Sequence, residues 1–175
     1  MMRSRFLLVP AAIVAAAPAS ATTYMSIEKA QKLMMPGATF TESFVTLSQQ
    51  QYNAIIDAGN VQPYGRRLKA WKASTGGWFV VDQVLGRNDW ITYAVAMDAE
   101  GVVQRVEILE CVEKWDEIRQ PKWLAQFKGK KPKSGFADVQ IISGSTLSSE
   151  QVVAGVKRLV SIYQIVLVPL AAQQG

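Results

Sequence analysis

Histidine is absent from the 175-residue chain and cysteine occurs once, as Cys111. Without histidine there is no Ser-His-Asp triad, no Cys-His pair, no His-ligated haem and none of the usual zinc ligand sets. One cysteine cannot close an internal disulfide, so the fold is not stapled. Cys111 ends an apolar stretch, where a small buried side chain is its expected role. No G-x-G-x-x-G run is present, which argues against direct nicotinamide chemistry. The chain also has no recognisable nucleic-acid reader motif, and its net charge is only +5.

The first residues account for part of that charge. Arg3 and Arg5 precede an apolar run from Phe6 to Ala17, followed by Ala19-Ser20-Ala21. This is the pattern of a secretory signal peptide cleaved after Ala21. The run is interrupted by Pro10 and Pro18 and is shorter than the roughly 20 residues a spanning helix needs. No cysteine stands at the cleavage point for lipid attachment. Without Arg3 and Arg5 the basic count falls from 19 to 17 against 14 acidic residues, a net +3. The expectation is export to a bacterial periplasm, with residues 1–21 removed and 22–175 forming one domain.

Within that domain a helical part, 22–60, precedes a sheet and turn region, 66–168. Ser26 caps a first helix over Tyr24 to Met35, stopped by Pro36-Gly37. Ser48 and Gln51 form a capping box for a second, Ser48 to Ala58. Strands follow over Arg67–Ser74, Trp78–Leu85, Trp90–Met97 and Val102–Cys111, joined by short turns. In the last, alternation sets Val102, Gln104, Val106, Ile108 and Glu110 against Val103, Arg105, Glu107, Leu109 and Cys111. Pro121 is read as breaking an irregular connection from Trp115 to Phe127. Lys128, Lys130, Lys131 and Lys133 make a basic loop, read as solvated surface. The fold class is α+β: an antiparallel meander with flanking helices.

The chemistry is concentrated in Ser143-Gly144-Ser145-Thr146-Leu147-Ser148-Ser149. Ile141 and Ile142 before it read as strand. After it, Val152, Val153, Val156, Leu159, Val160, Tyr163 and Val166 recur at helical spacing. Ser148 and Gln151 repeat the capping-box spacing, placing the helix start just beyond Thr146. The final apolar stretch, Ile162 to Val168, is expected to be buried and too short to span a membrane. Gly144 permits a tight turn, and a small-residue turn at a helix N-terminus presents N–H groups and the positive dipole end to an anion. An ordinary Ser/Thr-rich cap has the same composition.

Ile142 to Ser149 resembles the S-G-A-T-x-S segment of the FMN-binding domain family, of the kind found in NqrC and RnfG subunits of membrane redox pumps. The likeness extends to Gly77–Val84, Ile91–Ala96, Val106–Glu110 and Trp123–Phe127. It implies that Thr146 carries FMN as a phosphoester, added by a periplasmic flavin transferase using FAD and a divalent metal. Ser143, Gly144, Ser145, Leu147 and Ser148 then surround the cofactor's phosphate. Trp78, Trp90 and Tyr93, among aromatics that also include Trp115 and Trp123, are candidates for the isoalloxazine wall. The implied role is an electron-transfer component working with a membrane-bound redox protein. Ser145 stands where the family usually has Ala, and Gln140 where the transferase motif usually has Asp; Asp138 is two residues too early. Non-covalent FMN binding and a flavin-free binding module of the same fold are the alternatives. No catalytic residue and no metal ligand emerges: a threonine hydroxyl needs an external base, metal or amine to react.

Overall fold

The computed structural model describes residues 22–59, 62–111 and 116–173, with side chains except that of Asp116. Its organising element is an antiparallel sheet in the order β1-β7-β6-β5-β4-β2, with β3 also pairing β4. The meander is β4 (Arg67–Ala73), β5 (Trp78–Leu85), β6 (Trp90–Met97) and β7 (Val103–Cys111). The outer pieces are β1 (Thr22–Thr23), β2 (Phe40–Glu42) and β3 (Val45–Thr46). β1 lies along β7, with Thr22 opposite Cys111. The α+β expectation holds.

Helix α1 (Ile27–Met34) is capped by Ser26, whose Oγ accepts from Lys29 N at 3.3 Å. Helix α2 (Gln49–Gly59) begins with a complete capping box: Ser48 N donates to Gln51 Oε1 and Gln51 N to Ser48 Oγ. Ser48 and Gln51 thereby satisfy two of the donors that a helix start leaves open.

The sheet has apolar clusters on both faces. One side holds Trp71, Phe79, Val81, Ala94 and Leu109 beneath Ala30 and Met34 of α1. The other joins Val80, Val84, Tyr93, Val95 and Ile108 to Ile55 of α2 and to Val152, Val156 and Leu159 of the last helix. Cys111 is buried there too.

Three sequence expectations are corrected. First, β7 does not alternate cleanly. Its pairing with β6 slips by one residue between Thr92 and Tyr93 and again between Ala96 and Met97. These bulges put Val103, Val106, Ile108 and Cys111 into the same cluster. Second, Pro121 starts a helix. It occupies the first turn of α3 (Pro121–Leu124), between 3₁₀ turns at Asp116–Arg119 and Ala125–Phe127. A first-turn proline sacrifices no helical hydrogen bond. Third, Ile141 and Ile142 form no strand. Side chains hold the backbone there: Gln126 Oε1 accepts from Gln140 N, and Ser149 Oγ from Ile142 N.

The last helix runs continuously over Thr146–Gln173 as α4 (Thr146–Ile162), a π turn (Tyr163–Leu167) and α5 (Val168–Gln173). Its 28 residues are long and apolar enough to cross a membrane by length and composition, contrary to the shorter run read from sequence. Yet 61% of its most apolar window is buried inside the fold. Packing against the sheet accounts for that hydrophobicity. Gly155 lets the helix approach the strands closely, because a Cβ there would lie 2.4 Å from Tyr93 Oη and 2.8 Å from Val84 Cγ1.

Candidate functional site

The start of α4 is built by a tight turn. Ser145 N donates to Ile142 O at 3.1 Å, and Gly144 between them has φ +89°. A Cβ at Gly144 would meet nothing, so glycine is required by the backbone angle rather than by space. Helix α4 begins at Thr146 with Ser145 as N-cap, and no side chain caps it. The expected Ser148–Gln151 box does not form. Ser148 is buried and its Oγ accepts from Arg87 N at 3.2 Å, while Gln151 Oε1 accepts from Tyr64 Oη at 2.9 Å. Tertiary partners have claimed both side chains.

Ser149 fixes the turn instead. Its hydroxyl oxygen is within donating distance of the carbonyl oxygens of Ser145 and Thr146, at 2.9 and 3.0 Å, and accepts from Ile142 N at 3.2 Å. Trp123 adds a second clamp by donating from Nε1 to Gln140 O at 2.7 Å. The buried Ser145 Oγ reaches Glu117 Oε2 at 3.4 Å. Glu117 was not singled out from sequence, and Trp123 and Ser149 were read there as a candidate ring wall and as part of the hydroxyl-rich stretch rather than as clamps, because their contacts span the fold or lie within a turn whose register was unknown.

Ser143, Gly144 and Thr146 are exposed, and Leu147 is 55% exposed. Thr146 Oγ1 makes only a long contact, 3.4 Å, to Ile142 O. A carbonyl oxygen cannot activate a hydroxyl as a general base does, so the site has no nucleophile of its own. Among the described residues no group of three acidic, cysteine or histidine side chains gathers to hold a metal. The amides of Thr146 and Leu147 have no backbone acceptor among the described residues. The turn therefore offers an exposed hydroxyl beside open helix-start donors.

The candidate aromatics separate by position. Trp78 is 2% exposed and pairs with Met97, at the end of β5 remote from the Gly86–Asp89 loop that touches Ser148. Tyr93 is sealed in the core and donates to Asp82 Oδ2 at 3.2 Å. Burial, with Asp82 adding to it, pushes the Tyr93 hydroxyl well above the ordinary tyrosine range. Only Trp90 of the three presents its ring, at 43% exposure, beside Tyr64 at 5.4 Å. Trp115 lies outside the described residues, and Trp123 is buried.

Asp82 and Arg158 form a second polar centre that sequence reading passed over. Arg158 is 1% exposed; its Nε donates to Asp82 Oδ2 at 3.0 Å, Nη2 ion-pairs with the same oxygen, and Nη1 reaches Gln62 O at 3.3 Å. Burial alone would lower the guanidinium pKa, but Tyr93 and Asp82 outweigh it and hold Arg158 charged. One charged residue on each of two apolar faces was the available signal. The basic loop is also partly structural: Lys130 is buried, ion-pairs with Asp138 and donates to Gly135 O, while Lys128, Lys131 and Lys133 are exposed.

Residues 86–161 match the family model of the FMN-binding domain. The match runs from the loop after β5 to the last turns of α4 and contains the whole Ile142–Ser149 turn; Gly77–Val84 lies outside it. No curated protein matches the chain.

Proposed function

The chain carries an FMN-binding domain over residues 86–161, and from that premise we propose that it is an exported flavoprotein with FMN on Thr146. FMN as the cofactor follows from the match; the covalent bond, export and electron transfer are our reading. The observation that carries it is the exposed Thr146 hydroxyl at the first position of a helix whose entry turn is clamped from two sides.

The residues present fit a phosphoester there. Gly144 leaves the turn uncovered, and a phosphodiester retains one negative charge that the helix start stabilises by about 0.3–1 kcal/mol. Such an energy positions a phosphate but does not hold a flavin, which favours covalent attachment. Because no base among the described residues touches Thr146 Oγ1, a separate flavin transferase supplies the activation: the oxygen–phosphorus bond to Thr146 forms as the pyrophosphate bond of FAD breaks, AMP departs, and the hydroxyl proton leaves to the transferase. The bound flavin supplies one- and two-electron chemistry. Ser143, Ser145, Leu147 and Ser148 hold or border the turn, and Trp90 is the exposed one of the three candidate aromatics, beside the Tyr64 that bonds Gln151 of α4. The electron partner is a membrane-bound redox protein.

Export rests on the signal-like residues 1–21. Non-covalent FMN binding is the second reading, favoured by Gln140 and Ser145 where the transferase motif differs.

Thr146→Val nearly preserves size and removes the hydroxyl. Co-expressed with a flavin transferase, it is expected to fold and to show no flavin fluorescence on a denaturing gel, whereas Ser145→Ala retains it and Gln140→Asp increases it. Peptide mass locates the modification. Covalent flavin on the Thr146→Val protein overturns the assignment; colour lost from the unsubstituted protein on denaturation selects the second reading.

A further inference from the structure

A groove of about 320 Å³ lies on the sheet where β4, β5 and β6 approach the Gly86–Asp89 loop. Its lining includes Tyr64, Arg67, Lys69, Gln83, Trp90 and Thr92. Leu68 and Ala70 point into the core, so Arg67 and Lys69 project from the opposite face of β4. Neither forms an ion pair among the described residues.

Asp82 is the one acid in the lining, and its charge is already engaged. Oδ2 serves Arg158 and Tyr93, and Oδ1 accepts from Gln83 N at 2.8 Å. Glu110 pairs with Thr92 on the next strand but stands outside the lining. Two positive charges therefore face the groove without compensation there. Opposite them Tyr64 and Trp90 are 48% and 43% exposed and meet edge to face. Two strand spacings separate β4 from β6, about 10 Å, enough for a fused-ring system lying across the strands.

We propose that this groove binds a planar aromatic anion, its rings against Trp90 and Tyr64 and its anionic group at Arg67 and Lys69. Aromatic faces and cations reward that combination together, and neither alone requires the other. The occupant is a diffusible molecule. Arg67, Lys69, Gln83 and Thr92 line the sheet face opposite the one on which α4 packs, and a flavin tethered at Thr146 already has its phosphate charge at the helix start.

The probe is anthraquinone-2-sulfonate, titrated into the purified full-length protein and followed by tryptophan fluorescence and calorimetry. Saturable binding to the Thr146→Val protein is expected, weakened about tenfold or more by Arg67→Gln with Lys69→Gln, a loss of roughly 1.4 kcal/mol. Trp90→Leu is expected to weaken it similarly while leaving the circular dichroism unchanged. Flavinylated protein is expected to bind the probe equally well; exclusion of the probe by the flavin overturns the proposal. Absence of saturable binding, or equal affinity in the double variant, overturns the proposal. A chain that never acquires covalent flavin refutes the Thr146 reading alone, because the Thr146→Val titration does not depend on it.

Discussion

Asp82 and Arg158 show how much one ion pair decides when one partner is sealed away. Arg158 has 1% exposure, and among the described residues Asp82 is the only carboxylate bonded to it. Asp82→Asn leaves the guanidinium buried beside a neutral amide, and losing one member of such a pair costs about 3–5 kcal/mol. Urea unfolding should show a lower midpoint with an unchanged slope. Asp138 contrasts with it, since its carboxylate is exposed and only Lys130 is buried. Hydrogen bonding to Lys130 holds the Asp138 pKa below the ordinary carboxylate range. The stabilisation is thus present above about pH 4 and is lost as pH falls through the lowered pKa. Asp138→Asn should be less stable than the parent at neutral pH, with the two thermal midpoints converging in acid. The sequence showed the hydroxyl-rich turn but not its wiring. Ser48–Gln51 and Ser148–Gln151 have identical spacing, yet only the first pair caps a helix, because Arg87 and Tyr64 take the second pair's side chains.

At the scale of elements, β5 and β6 begin and end at the residues the flanking turn signals indicated. Strand β7 did not follow its pattern, since a bulge inserts an unpaired residue that local composition does not advertise. The short β2 and β3 went unread because two or three residues carry no period. Helix α4 carries a conflict between propensity and packing at Gly155. Alanine is favoured by about 1 kcal/mol in an exposed helix interior. Here its methyl group would strike Tyr93 and Val84, and overpacking costs about 1–3 kcal/mol. Gly155→Ala is therefore expected to lower the thermal midpoint despite raising helix propensity. A higher midpoint would show that Tyr93 can retreat.

Across the whole molecule, one sheet serves two cores, and the acceptor turn sits where the larger core meets the loop after β5. Composition indicated that architecture well, because the strands and the long helix are strongly apolar. It did not indicate the groove, whose groups come from β4, β5, β6 and the residues before β4.

The π turn Tyr163–Leu167 gives that long helix two rotational phases. A π turn is equivalent to one residue inserted into an α-helix, so everything beyond it is rolled by about 100°. Before it, the helix keeps Val152, Val156 and Leu159 on the sheet; after it, α5 has no buried residue. The insertion acts as a clutch: the segment bearing Thr146 is geared to the sheet by buried side chains, while the tail rests on the core through the half-buried Leu170 and Ala171. Deleting the exposed Gln164 should restore a regular helix and roll the tail, leaving the acceptor turn in place. Amide exchange should then change beyond residue 163 while the protection of Ser149 stays as it was; altered exchange at Ser149 would show that the two phases are coupled.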